Sequence, residues 1–414
     1  MWYRILFLVL LWPLTAGAQE SALTLEHAID RALGEAPQVA ASSAMLDGAQ
    51  AVAPSAGRLP DPELLAGVEN FPIDSADRYS FTRDFMTMRK VGLMQSFPNT
   101  AKRRLQSERA QREIDVARGD LRKSRFDASH AVAEAWIGRA VAEQSLARLQ
   151  ALKPDVELQA TAARAAFSSG RTTAAEALGT QTLVASINER LLALQQEAEM
   201  QRAELARWIG SDADLPLASL PTDRELEHSP DALVAAVAEH APLAPVVARL
   251  DAAKTDVDLA RADKRPDWSA ELSYAKRGPQ FSDMVSLEFR VGLPLFTKHR
   301  QDPKIAEKRA AVRAQEAELD SEVRMHTAEV RAAVAQWRLG RERLQNYEKE
   351  ILPLARDRSR AALASYGSGR AELRSTVEAL TDEIEKQLDE VQLEGSVARA
   401  WVFLHLLHDS GTSP

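Results

Sequence analysis

The chain has no cysteine among its 414 residues. Disulfides and thiolate metal sites are therefore excluded, as is a lipid carried on an N-terminal cysteine. Beyond the first residues there is no apolar run near the ~20 residues that a membrane-spanning helix needs. Positive charge is not in excess either, and the formal net charge is −8. That balance gives no support to nucleic-acid binding, and it is compatible with passing cations. Catalytic motifs are missing as well. There is no Gly-rich phosphate loop, no nucleophile elbow and no His-Glu-x-x-His helix, so no catalytic residue and no cofactor is expected.

What the chain does have is an internal repeat. Phe97, Pro154 and Ser169-Gly170-Arg171 return as Phe296, Pro353 and Ser368-Gly369-Arg370, each at an offset of 199 residues. Three landmarks in register mean one structural unit used twice. The expected organisation is a first repeat over 19–209, a connector over 210–229, a second repeat over 230–408 and a tail over 409–414. Earlier landmarks, such as Pro60-Asp61 against Pro266-Asp267, are offset by 206. The first hairpin should thus be longer than the second by seven residues.

The first 18 residues read as an export signal. Arg4 gives a positive start, Ile5 to Leu11 an apolar stretch, and Ala16-Gly17-Ala18 a small-residue cleavage site. Export points to the periplasm, the outer membrane or the exterior.

Within each repeat the pattern changes period. Residues 25–57 and 229–265 read as helical, with Thr24 as a cap and Pro37 as an interruption. Four strand candidates follow, near 62–70, 87–97, 268–275 and 285–293. In the last, Val285, Leu287, Phe289, Val291 and Leu293 share one face, and Ser286, Glu288, Arg290 and Gly292 the other. Trp268, Ala270, Leu272 and Tyr274 alternate with Ser269, Glu271, Ser273 and Ala275, and Val91 and Leu93 point outward. Each stretch nears the ~9–11 residues of a tilted transmembrane strand. Residues 99–167 and 299–366 are rich in strong helix formers. Pro154 and Pro353 should kink or divide them. Helical pattern resumes after each Ser-Gly-Arg, so each repeat makes a long helical hairpin with its tip near Gly170 or Gly369.

Four strands cannot close a barrel, and open edges do not occur in hydrocarbon. If these strands enter a membrane, closure must be intermolecular, with two copies giving eight strands and three giving about 12. The alternative is a water-soluble β-hairpin capping a coiled coil.

Here the chain resembles the TolC family of outer-membrane efflux proteins. The motifs are Val91-Gly92-Leu93-Met94-Gln95-Ser96-Phe97-Pro98 and Val291-Gly292-Leu293-Pro294-Leu295-Phe296. They are joined by the tips Phe167-Ser168-Ser169-Gly170 with Ala175-Glu176-Ala177-Leu178, and Tyr366-Gly367-Ser368-Gly369 with Val377-Glu378-Ala379-Leu380. The resemblance covers residues 22–408. It implies a mainly α fold with a small β part. Four strands per protomer would complete a 12-stranded barrel in a homotrimer, and antiparallel helical hairpins would form a periplasmic tunnel. It implies a periplasmic adaptor (membrane fusion protein), an inner-membrane resistance-nodulation-division pump, and contact with outer-membrane lipid. The run Phe85-Met86-Thr87-Met88-Arg89-Lys90 looks most like the heavy-metal branch, which exports Cu/Ag or Co/Zn/Cd. Alternatives are a channel for drugs or other small molecules, or a periplasmic coiled-coil adaptor or scaffold.

The resemblance also implies gate and docking residues. Glu176 lies six residues after Gly170, and Glu378 nine after Gly369, with Asp382 one turn further. In a trimer each would become a ring of three carboxylates favouring cations. Ser375, six after Gly369, departs from the family's aspartates. Ser169, Gly170, Arg171, Ser368, Gly369 and Arg370 would dock the adaptor. The plainer readings are solvated helical acids and ordinary turns. Met86, Met88 and Met94 share a parity and would offer soft ligands, although methionines on strands more often pack. His405 and His408 are three apart on one helix and could share a metal, with no further ligand in sight.

Overall fold

The computed structural model describes residues 22–409. The expected leader and residues 410–414 lie outside the described residues. The chain forms two compact units. One takes residues up to 36, 129–225 and 335–403. The other takes 37–128, 226–334 and the chain from 404. Each unit draws on both halves of the sequence.

The first secondary elements are α1 (Leu25–Glu35) and α2 (Pro37–Val52). The Thr24 hydroxyl accepts from the His27 amide and caps α1. Pro37 has no amide hydrogen, so it opens a new helix rather than continuing the old one. The helical stretch ends sooner than 57, in a 3-10 turn at Ala53–Ser55.

Strands β1 (Glu63–Glu69) and β2 (Met88–Phe97) come next. They lead into α3 (Thr100–Ser168) and α4 (Ala174–Ile209). A short α5 (Pro230–Ala235) precedes α6 (Ala244–Ala262). Residues 229–265 are thus not one helix. Two 3-10 turns, Val237–Glu239 and Ala241–Leu243, interrupt them, where Pro242 and Pro245 remove amide donors. Strands β3 (Trp268–Lys276) and β4 (Met284–Val291) follow, then α7 (Gln301–Asn346), α8 (Leu352–Gly367) and α9 (Leu373–Asp409).

The four strands form one antiparallel sheet in chain order, β1-β2-β3-β4. Its register aligns side chains across all four. Leu64 opposes Leu93, Leu93 opposes Leu272, and Leu272 opposes Leu287. Ala66, Val91, Tyr274 and Val285 form a second such row. Leu293 falls outside β4, whose last residue is Val291. Pro294 has no donor to extend the ladder, and Gly292 turns its amide to the Asp267 carbonyl instead.

Asp267 also fixes the next helix. Its Oδ1 accepts from the Asn99 amide at 2.7 Å, and the Asn99 side chain accepts from the Lys102 amide at 2.8 Å. The residue before β3 thereby sets the cap of α3.

In the other unit, Leu149 and Val156 of α3 pack on Ile187 and Leu191 of α4 and on Ile384 and Leu388 of α9. Burying one such side chain contributes about 1.5–3 kcal/mol. Pro154 lies inside an unbroken α3. Pro353 behaves differently. A π-helical turn, Tyr347–Ile351, precedes it and separates α7 from α8. A widened turn relieves the clash between the proline ring and the carbonyl four residues back.

The connector is more ordered than a plain linker. The Leu23 amide donates to Pro216 O at 2.7 Å, and the Ala218 amide donates to Leu23 O at 3.0 Å. Trp136, fully buried on α3, donates its indole N–H to the same Leu23 carbonyl at 3.2 Å.

Candidate functional site

Alternation along the strands places two chemistries on two faces. One face carries Leu64, Val91, Leu93, Trp268, Leu272, Tyr274, and every second residue of β4 from Val285 to Val291. Each is exposed in the protomer. An exposed apolar patch of this continuity needs a covering phase.

The opposite face is charged. Lys90 Nζ lies 3.1 Å from Glu69 and 2.8 Å from Glu271. Arg290 lies 2.8 Å from Glu271 and 2.7 Å from Glu288. The ladder Glu69–Lys90–Glu271–Arg290–Glu288 thus crosses the sheet from edge to edge. Glu271, 3% exposed, is its hub beneath two cations. Sequence reasoning placed Glu271, Glu288 and Arg290 on polar parities and missed their pairing. The shared parity with Lys90, read together with the register, was the available signal. Gly92 is needed at this face, because a Cβ there would stand 2.8 Å from the Ser273 Cβ.

The methionines are not brought together. Met86 precedes β2 and lies off the strand. Asp84 holds its amide at 2.7 Å, which keeps it in the connecting loop. Met88 and Met94 share the charged face, but six residues of strand separate them by about 20 Å. Arg290 Nη1 sits 3.4 Å from Met94 Sδ, which puts positive charge where a bound cation would need to be. His405 lies on α9, and the side chain of His408 is outside the described residues.

The two hairpin tips have the same backbone construction. In the first, the Gly170 amide donates to Phe167 O and the Arg171 amide to Ala166 O. In the second, Gly369 donates to Tyr366 O and Arg370 to Ser365 O. Gly170 and Gly369 adopt φ of 69° and 70°. This is a Schellman helix end, in which a left-handed glycine lets late carbonyls find donors. No atom lies within 4 Å of a Cβ built on either glycine. The turns are therefore open to approach. The Arg171 Nε donates to Ser169 Oγ at 2.9 Å, which ties that side chain to its own turn.

The tip acids differ in their engagement. Glu176 forms a capping box with Thr173, each side chain bonding the other's amide at 3.2 Å. It also accepts from the Thr172 hydroxyl, and that bond holds its carboxyl below the usual range. Glu378 is exposed on α9. Asp382, on the same face, pairs with Arg358 of α8 at 3.0 Å. A groove of about 470 Å³ further along α4 and α9 is lined by Leu183, Ile187, Arg190, Ile384, Leu388 and Asp389.

A second pocket, of about 440 Å³, is lined by Gln144, Arg148, Ser219, Leu220, Thr222 and Glu394. Burial, and then the neighbouring Glu390, push the Glu394 carboxyl up to about 7. Arg148 lies 3.8 Å from Glu390.

A sheet apolar on one face, joined to helical hairpins with matched tips, defines the protomer of a TolC-like outer-membrane channel. Residues 28–211 and 232–408 match the outer membrane efflux protein family, and the chain belongs to that family. Similar solved structures include VceC from Vibrio cholerae, with 22% identity and a TM-score of 0.75 over 94% of this chain and 96% of that one. A membrane protein from Pseudomonas aeruginosa gives 17% and 0.79 over 92% of each chain. CusC gives 15% and 0.78 over 92% and 91%. At these identities the likeness is one of fold. Comparison with curated proteins gives no match.

The family places the protein in the outer membrane, with a periplasmic helical part. It makes the protein a transport channel rather than an enzyme. Family membership also sets aside the adaptor or scaffold reading. Channels of the family are trimeric and work with an adaptor and an inner-membrane pump.

Proposed function

We propose that this chain is the outer-membrane duct of a tripartite efflux system and passively conducts heavy-metal cations, Cu/Ag or Co/Zn/Cd, to the exterior. Three copies close the β1 and β4 edges into a 12-stranded barrel, apolar face outward. The observation that supports this reading is the two-faced sheet: a continuous apolar face backed by one that carries the Glu69–Lys90–Glu271–Arg290–Glu288 ladder, on strands of 7 to 10 residues. Lipid covers the first, and the second lines a wet lumen.

Conduction needs no chemistry from the protein. The energy comes from a resistance-nodulation-division pump through an adaptor. The open turns at Ser169-Gly170-Arg171 and Ser368-Gly369-Arg370 support adaptor docking, because glycine permits close backbone approach. Glu176, Glu378 and Asp382 form the cation-favouring gate. The heavy-metal cargo rests on the resemblance of Phe85–Lys90 to that branch and on the acidic balance of the chain.

The test combines two measurements on a deletion strain. Complementation should restore heat-stable trimers to the outer-membrane fraction and restore resistance to one of these metal groups. Trimers with unchanged metal tolerance would remove the metal assignment and leave the channel.

A further inference from the structure

The connection between β1 and β2 has 18 residues, 70–87, against seven, 277–283, between β3 and β4. It lies at the strand ends away from α3 and α7. It carries Phe71, Tyr79, Phe81 and Phe85, together with Ile73 and Met86. Ile73 is 72% exposed, Tyr79 67% and Phe85 58%. Loops that meet only water are seldom built this way.

The segment is nonetheless folded. Phe71 and Phe81 have ring centroids 4.7 Å apart, and Phe71 and Tyr79 6.5 Å. The Tyr79 amide donates to Pro72 O at 2.8 Å. Asp84 Oδ1 accepts from the amides of Met86 at 2.7 Å and Thr87 at 3.0 Å. The Thr87 hydroxyl donates to Asn70 O at 3.0 Å and closes the base. The segment rests on the second turn, where a Cβ on Gly278 would stand 1.9 Å from Thr82 O. The aromatic rings are therefore displayed by a fixed frame.

The strands themselves show what is missing at this end. At the helix end of the apolar face, Phe97 stacks on Trp268 at 4.1 Å, and Phe289 lies 6.5 Å from Trp268. That is an aromatic girdle of the kind that marks a membrane interface. At the far end Tyr274 is the one aromatic on the apolar strand face, with its hydroxyl on Asp283. The band of rings is incomplete there, and the 70–87 segment carries four more at that level. Arg78 and Arg83 stand among them, with Asp74 and Asp77, as suits a polar headgroup layer.

We propose that residues 71–86 form a membrane-surface anchor, in which the Phe71, Tyr79 and Phe81 cluster lies in the headgroup layer of the outer leaflet and completes the far aromatic girdle. The anchor rests on the barrel reading above and extends it to a segment outside the strands. Its ligand is a lipid surface. The continuity with the apolar sheet face argues for lipid over a neighbouring copy or a lid across the lumen.

The absence of cysteine makes the test clean. Single variants Tyr79→Cys and Phe81→Cys would carry a nitroxide, with Leu272→Cys as the mid-band reference and Ser169→Cys as the water reference. Trimers would be reconstituted in phosphatidylcholine–phosphatidylglycerol vesicles, and label collision with oxygen and with a neutral nickel chelate measured. Labels at 79 and 81 should show an oxygen-to-nickel ratio several-fold above Ser169 and below Leu272. A ratio equal to that at Ser169 overturns the anchor. So does raised conductance in Tyr79→Ser/Phe81→Ser, which identifies a lid, or strong spin coupling between copies, which identifies a protein contact. A water-like ratio at Leu272 itself would instead sink the barrel reading.

Discussion

Arg358 on α8 and Asp382 on α9 form a 3.0 Å ion pair across the second helical hairpin. Glu378, one turn before Asp382, is exposed. The pair offsets the charge of Asp382, one of the three proposed gate acids, and leaves Glu378 to act. Three Glu378 carboxylates in a tapering lumen would create a negative potential, screened over about 8 Å at physiological salt. Glu378→Gln should lower the cation preference of the channel in planar bilayers, most clearly at low salt. Arg358→Gln should raise it by uncovering Asp382. Glu176→Gln should act more weakly, because the capping box engages that carboxylate. Glu318, on α7, is the control. An unchanged reversal potential in Glu378→Gln would return that residue to a plain solvated acid.

The tip glycines give a second prediction. At φ near +70° a residue with a Cβ costs about 1–2 kcal/mol, although no neighbour obstructs it. Gly170→Asn and Gly369→Asn should be tolerated, since asparagine visits this region readily. Gly170→Leu/Gly369→Leu should keep trimers in the outer membrane and lose adaptor cross-linking. Undiminished cross-linking in the leucine variant would take the tips out of the docking surface.

Much of this architecture was legible because two periods differ so plainly. Alternation at Val285, Leu287, Phe289 and Val291 named both the strand and its apolar face. Gly170 and Gly369 marked turns because each sits in a repeated Ser-Gly-Arg with helical pattern on both sides. The misses have two causes: close neighbours that divert the backbone, and partners distant in sequence. Leu293 kept the parity but lost the ladder to Pro294 and to the Asp267 carbonyl. Met86 shared parity with Met88 but is held in the loop by Asp84. Pro154 and Pro353 look alike in sequence, yet only the second is preceded by a π turn. The Lys90–Glu271–Arg290 ladder needed the register between strands, which alternation alone does not supply.

The Glu394 carboxyl supplies a pH prediction. Its value in the fold, about 7, lies above the ordinary 4.5. The folded state therefore holds this proton more tightly than the unfolded state does. Its contribution is intact below about 4.5 and is lost as pH rises through 7. Above that range an ionised Glu394 faces Glu390, Glu348 and Asp223, with Arg148 as the opposing charge. Glu394→Gln keeps the shape and removes the titration. Its melting temperature should match the wild type at pH 5 and exceed it at pH 8. Parallel curves across that interval would show that Glu394 titrates as an ordinary surface acid.

The sheet faces give the sharpest contrast in the molecule. Phe289 and Ser286 lie on the same strand, three residues apart, and on opposite faces. Phe289 opposes Ala270 in the apolar set, and Ser286 opposes Ser273 in the polar one. Phe289→Arg would place a charge against lipid, at a cost of about 2–4 kcal/mol near the midplane. Ser286→Arg would place the same charge in a wet lumen already carrying Lys90 and Arg290, where water and Glu288 can solvate it. The charge added is the same in both and Ser286→Arg adds the greater bulk, so a larger loss in Phe289→Arg reports the face. Heat-stable trimers in outer-membrane extracts should fall sharply for Phe289→Arg and stay near wild type for Ser286→Arg. The second variant should shift the reversal potential toward anions, as three added positive charges line the lumen. Equal trimer yields for the two would refute the assignment of the apolar face to lipid, whatever the conductance shows.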